Sequence, residues 1–125
     1  MTQTTFDYTA AATDFYRELD ANDPGVFDRR LTTDAEFVFN NLDPVTGRDA
    51  IGKFIGDWKA NFTSVTHEII ETTVDPVKQI IGVEVVVAYT FTDGKIVKLN
   101  GCSFLAFTDD RINSYRVYVD TTALA

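Results

Sequence analysis

The stretch VKQIIGVEVVVAYTFTDGKIVKLNGCSFLAF, residues 77–107, decides the fold. Two runs rich in β-branched and aromatic residues flank Asp93-Gly94, and Asp and Gly tolerate the positive φ angles that a two-residue hairpin turn demands. Such a turn fixes the pairing of everything beyond it. Counting outward, Thr92 faces Lys95, Thr90 faces Val97, Ala88 faces Leu99, Val86 faces Gly101 and Glu84 faces Ser103. All but the first pair share a face with Leu105 and Phe107. The opposite face pairs Phe91 with Ile96, Tyr89 with Lys98, Val87 with Asn100 and Val85 with Cys102. Because this second face mixes valines with Lys98 and Asn100, it is expected to be partly solvated or to join two subunits. The Glu84 face is expected to lie under helices.

Upstream of the hairpin the periodicity is helical. Phe15 and Leu19 are four apart, with Tyr8, Ala11 and Ala12 on nearly the same side, which predicts an amphipathic helix from about Phe6 to Asp20. Asp23 as N-cap and Pro24 at the first helical position predict a short second helix to about Leu31. DAEFVFNN (34–41) alternates and reads as a strand, and LDPVTG (42–47) reads as a loop. RDAIGKFIGDWKANF (48–62) then sets Ile51, Phe54, Ile55, Trp58 and Phe62 at helical spacing. VTHEIIETTV (65–74) and RINSYRVYV (111–119) complete four late strands. Helices first and strands afterwards predict an α+β domain, with helices packed on one face of a mainly antiparallel sheet.

At 125 residues the chain is expected to be one domain, 1–125, with a single core. A net charge of −8 spread along the whole length argues against nucleic acid and anionic membrane surfaces as partners. Cys102 is the only cysteine, so no internal disulfide forms and a cytoplasmic location is the expectation. The start, MTQTTFDYTAAATDF, has neither a basic nor an apolar leader, and no run is long enough to span a membrane. His67 is the only histidine and Glu68 falls on the opposite strand face, so His67 reads as a structural or surface residue and no metal site is expected. Cys102 has no basic neighbour to lower its pKa and reads as packing. The glycines form no phosphate-binding pattern.

The hairpin register leaves Glu84 as the lone carboxylate on an apolar inner wall, opposite the Ser103 hydroxyl. A buried acid must be hydrogen-bonded or neutral, and chemistry often uses such a group. The other reading is that Glu84 reaches water near a sheet end, or that a bulge reverses its face.

FYRELDANDPGVF (15–27), TGRDAIGKF (46–54) and DDRINSYRVYVD (109–120) resemble the SnoaL-like branch of the nuclear transport factor 2-like superfamily, and the resemblance covers nearly the whole chain. It implies a conical half-barrel, a curved and mainly antiparallel sheet wrapped around N-terminal helices and enclosing a pocket. Against the ketosteroid isomerases of that superfamily, Tyr16 matches the enolate-binding tyrosine. Their enolate-binding acid falls on Ser103, and their proton-moving base falls on Phe39 or its neighbour. Against limonene-type epoxide hydrolases, Asn41 is retained, Phe39 replaces the tyrosine, and Glu84, Val86 and Val117 stand where the water-activating Arg, Asp and Asp belong. Neither reaction is therefore expected. The polyketide cyclases that name the group close a ring by an intramolecular aldol step and imply no cofactor.

On the last strand Tyr115 and Val117 face the implied cavity while Asp120 alternates away from it. Asp120 thus reads as structural, accepting hydrogen bonds from backbone amides or pairing with Arg48 or Arg116. The resulting expectation is a pocket for a small apolar, polyketide-like or terpenoid-like molecule, serving a cofactor-free cyclase, isomerase or dehydratase. Glu84 would be its acid or base and Tyr16 a hydrogen-bond donor. Phe39, Asn41, Trp58, Ser103, Tyr115 and Val117 would line it, and the outer sheet face would form a homodimer. The alternative is a non-catalytic ligand-binding or dimerisation module.

Overall fold

The computed structural model describes residues 6–124, so residues 1–5 and 125 of the expected domain lie outside the described residues. Helix α1 runs over Tyr8–Asp20, opened by Asp7, whose carboxylate accepts the Ala10 N–H at 2.9 Å. Its buried residues, Tyr8, Ala12, Phe15, Tyr16 and Leu19, recur at helical spacing on one face. Helix α2, Val26–Arg30, begins later than the sequence predicts. Asp23 does not cap it: one carboxylate oxygen accepts the Gly25 N–H at 2.9 Å in a local turn, and the other takes Arg29 at 2.7 Å. Helix α3 runs over Arg48–Lys59 and starts from Gly47, held at φ +95° with its N–H on the Ala35 carbonyl.

Among the described residues the strands are β1 (Leu31–Phe39), β2 (Val45–Thr46), β3 (Ser64–Asp75), β4 (Ile80–Thr90), β5 (Ile96–Thr108) and β6 (Arg111–Val119). The short β2 lies inside a segment that the sequence reads as loop. The strands form one sheet in the order β2-β1-β6-β5-β4-β3, antiparallel except for the parallel β1–β6 pair. The sheet curves without closing, since β2 and β3 are its two edges, and the helices pack on its concave face. This is the conical α+β architecture expected. The parallel joint is extended past the end of β1 by Asn40, whose side-chain amide donates to the Val119 carbonyl at 2.8 Å and accepts the Val119 N–H at 2.9 Å.

The central hairpin departs from the expected register. Phe91 N–H donates to Lys95 at 2.8 Å and Gly94 N–H donates back to Phe91 at 2.9 Å, so the loop holds three residues, Thr92, Asp93 and Gly94. Gly94 takes φ +90° and the Asp93 carboxylate accepts the Lys95 N–H, which is the geometry of a tight turn followed by a one-residue bulge. The extra residue slips the pairing by one, to Thr90 with Ile96, Val86 with Asn100, Glu84 with Cys102 and Val83 with Ser103. On β5 the inward set is as expected, with Ser103, Leu105 and Phe107 buried. On β4 every side chain changes face: Val83, Val85, Val87 and Tyr89 are buried, while Glu84 is exposed on the convex side. There it stands beside Cys102 on one neighbour and directly opposite Glu71 on the other.

The core beneath the helices is continuous. Phe15, Leu31, Ile51, Ile81, Leu105 and Ile112 are fully buried. Each contributes about 1.5–3 kcal/mol by leaving water.

Candidate functional site

The concave face narrows to a cleft between α1, α3 and the sheet. Phe37 and Phe39 from β1, Tyr115 and Val117 from β6, and Val87 and Tyr89 from β4 form its floor. Leu19 from α1 and Phe54, Ile55, Trp58 and Lys59 from α3 cover it, and Val65 and His67 from β3 close one side. Aromatic rings hold the walls against one another: Phe39 to Trp58 at 5.4 Å between centroids, Phe37 to Phe54 at 5.6 Å, and Phe37 to Tyr115 at 5.2 Å. The space open to the centre of a water-sized sphere is about 50 Å³. An apolar cavity that takes up benzene is about three times larger, near 150 Å³, so a ringed ligand requires these aromatic walls to turn outward.

Few polar groups face this lining, and they gather where α1 ends against β3. Asp20, the last residue of α1, accepts the His67 backbone N–H at 2.6 Å through Oδ2 and meets His67 Nδ1 at 2.7 Å through Oδ1. Both side chains are largely buried, at 13% exposure for His67 and 16% for Asp20. A carboxylate only accepts, so it holds the imidazole proton on Nδ1 and leaves the Nε2 lone pair free for a group in the cleft. A carboxylate at a helix C-terminus is otherwise disfavoured by the helix dipole. Here the contacts to His67 and a nearby ammonium offset that. The ammonium is Lys59, half-buried, whose Nζ donates to the Leu19 carbonyl. Burial lowers its pKa from the usual lysine value, and the charge of Asp20 opposes that shift.

Behind His67 lies a patch of hydroxyls. The Tyr16 ring packs on the imidazole at 4.7 Å, and its hydroxyl is hydrogen-bonded to Ser103, which is 1% exposed. The Tyr115 hydroxyl stands close enough to Tyr16 for each to influence the other's ionisation. Burial raises the pKa of Tyr16 and raises that of Tyr115 well above the ordinary phenol value, so both are neutral phenols at any ordinary pH.

The residues singled out in the sequence divide accordingly. Phe39, Trp58, Tyr115 and Val117 border the cleft, whereas Ser103 does not line it: it is fully buried behind it, bonded to Tyr16, whose ring packs on His67. Asn41 does not line it: it is exposed in the turn after β1, and its neighbour Asn40 makes the structural bonds there. Glu84 does not line it either, because of the one-residue slip in the hairpin. Asp120 is exposed just past β6, and its Oδ1 accepts the Thr122 N–H at 3.0 Å and the Thr122 hydroxyl, holding a short 3-10 turn at Thr122–Leu124. Arg48 is engaged instead with Asp28, at 3.4 Å. His67, read from sequence as structural or surface, borders the cleft together with Lys59, and Asp20 orients it. The sequence carried one signal for this: His67 alternates with Val65 and Ile69, both apolar, on one face of its strand. No spacing links it to Asp20, 47 positions away. Among the described residues no group of three or more His, Cys, Asp and Glu side chains is arranged to hold a metal ion.

The chain is thus an open α+β cone with a mainly apolar cleft on its concave side. The profile of the SnoaL-like domain matches residues 12–115, and the chain belongs to that family. No curated protein shows significant sequence similarity to it. Among solved structures it is similar to a candidate polyketide cyclase of Xanthomonas campestris pv. campestris, with 20% identity, a TM-score of 0.82, and coverage of 93% of this chain and 92% of that one. It is similar also to a candidate SnoaL-like polyketide cyclase of Jannaschia sp. CCS1, with 15% identity, a TM-score of 0.76, and coverage of 98% and 94%. A third is SalBIII, an epoxide hydrolase/cyclase-like enzyme in pyran ring formation in the polyether salinomycin, with 18% identity, a TM-score of 0.79, and 91% of each chain covered. At these identities the likeness establishes the fold. Among the described residues no helix is long and apolar enough to cross a membrane.

Proposed function

We propose that the chain is a cofactor-free acid–base catalyst for a small, mainly apolar molecule, of cyclase, isomerase or dehydratase type, with His67 rather than Glu84 as the group that moves the proton. The observation that carries this reading is the Asp20–His67 pair, with His67 on the wall of a mainly apolar cleft. The Nε2 lone pair takes a proton from a carbon beside a carbonyl, the electrons of the broken C–H bond pass into the enolate, and the imidazolium returns the proton at another atom. Asp20 holds the tautomer and balances the imidazolium charge. The similar structures lend support, two candidate polyketide cyclases and an enzyme of pyran ring formation among them.

The test is exchange of carbon-bound hydrogen for deuterium in a panel of one- and two-ring β-diketones and aryl ketones. Wild-type protein should accelerate exchange for at least one compound, His67→Gln should lose about 10² to 10⁴ of that rate, and Glu84→Gln should keep it. Equal rates for wild type and His67→Gln would overturn the reading. The second reading, a pocket that binds without reacting, is favoured by the small apolar interior. It predicts ligand uptake with no exchange.

We also propose a homodimer through the convex face of the sheet. Its support differs from the sequence expectation, since Val85 and Val87 face the core. Ile96 remains exposed as expected, at 57%, and on the same face Phe104 and Tyr118 are exposed at 38% and 40%. Sedimentation should give twice the chain mass of 14.0 kDa; a lone monomer at micromolar concentration would exclude the dimer.

A further inference from the structure

Lys59 occupies an unusual place in the fold. Its side chain borders the apolar cleft and also two shallow surface clefts, one shared with Asn22 and Phe27, the other with Phe62 and Ser64. It therefore stands at the junction where the interior meets the surface. A lysine so placed can lay its aliphatic stem along the apolar wall and keep its ammonium toward the mouth. Among the described residues that ammonium donates one hydrogen bond to protein, to the Leu19 carbonyl, although an ammonium carries three donors. The Leu19 carbonyl does not depend on it, because the Asn22 N–H also reaches that oxygen at 3.1 Å. Helix capping alone thus gives a weak reason for placing a costly charge beside Trp58 and Ile55.

We propose that Lys59 sets the ligand class: the cleft takes a small amphiphilic anion, a ring seated among Phe39, Trp58 and Tyr115 and a carboxylate, phenolate or enolate oxygen on the Lys59 ammonium at the mouth. This rests on the reading of the cleft as a ligand site, though not on catalysis by His67. A chain of net charge −8 repels anions at long range, so preference for an anion must come from a local cation. Asp20 already faces His67, which leaves the Lys59 ammonium as the cation of this lining open to a ligand. Burial already disfavours the bare ammonium, and a bound anion relieves that cost. The same contact would hold the enolate formed if His67 removes a proton, where developing negative charge gains most from a fixed cation.

The probes are benzoate and its neutral isostere benzamide, and the readout is the fluorescence of Trp58, the only tryptophan and part of the cleft wall. Wild-type protein should bind benzoate about tenfold or more tighter than benzamide, with the difference shrinking as salt is raised. Lys59→Met should erase the preference while still binding benzamide, and Lys59→Arg should retain most of it. Equal affinity for both probes in wild type, or an unchanged preference in Lys59→Met, would overturn the assignment of Lys59 and leave the ligand site standing. Quenching by neither probe, confirmed by calorimetry, would overturn both.

Discussion

At the residue scale, the site depends on side chains whose partners are already inside the protein. Tyr16 and Ser103 satisfy one another, so neither is an idle hydroxyl awaiting a substrate. Tyr16→Phe leaves the Ser103 hydroxyl buried without that partner, and the cost of such an orphan is about 1–3 kcal/mol. The double variant Tyr16→Phe with Ser103→Ala removes both polar atoms and should recover part of the loss, a coupling readable in urea unfolding. Losses that simply add would show that the bond contributes nothing. Tyr16 and Ser103 stand out in the sequence through the family resemblance, Tyr16 as the enolate-binding tyrosine and Ser103 at the place of a missing acid, but their bond to one another was not legible. Nor were the roles of Asp20, His67 and Lys59, because their meeting depends on where α1 ends over β3.

At the element scale, the order of helices and strands follows directly from periodicity, and Phe15, Leu19, Ile51, Ile55 and Trp58 fall on the faces that their spacing predicts. The face of β4 does not, and the cause is local. Asp-Gly suits a two-residue turn and also the end of a three-residue one, where Gly alone takes the positive φ. The two readings differ by one residue and exchange Glu84 for Val83 and Val85. The alternation on β4 itself could have arbitrated: Ile81, Val83, Val85, Val87 and Tyr89 form an unbroken apolar series, whereas the even positions include Glu84. Gly94→Ala tests the turn. No atom lies within 4 Å of the added Cβ, so its cost comes from the backbone at φ +90° alone. About 1–2 kcal/mol should be lost; a neutral result would mean that the loop does not hold Gly94 in that conformation.

At the scale of the whole molecule, the concave face is held by α1 and α2 acting together, and one ionic cluster joins them. Glu18 on α1 receives Arg29 and Arg30 from α2, and chiefly the Arg30 hydrogen bond lowers its pKa from 4.5 to about 2. Because the folded value lies below the unfolded one, the cluster stabilises the fold fully above pH 4.5 and ceases to do so as pH falls toward 2. Glu18→Gln should therefore lower the melting temperature at neutral pH and flatten its decline across that acid window. An unchanged acid limb would show that the cluster does not couple the helices to stability. The cleft that α1 covers together with α3 is where the functional account stands or falls, and its central claim is a basic nitrogen oriented by Asp20. The chain has one histidine, so long-range ¹H–¹⁵N spectra of labelled protein report His67 without overlap. With the ring neutral, the wild type should carry its proton on Nδ1 and a free lone pair on Nε2, and Asp20→Asn should lose that preference. A wild-type ring protonated on Nε2 would contradict the account, since no base would then face the cleft.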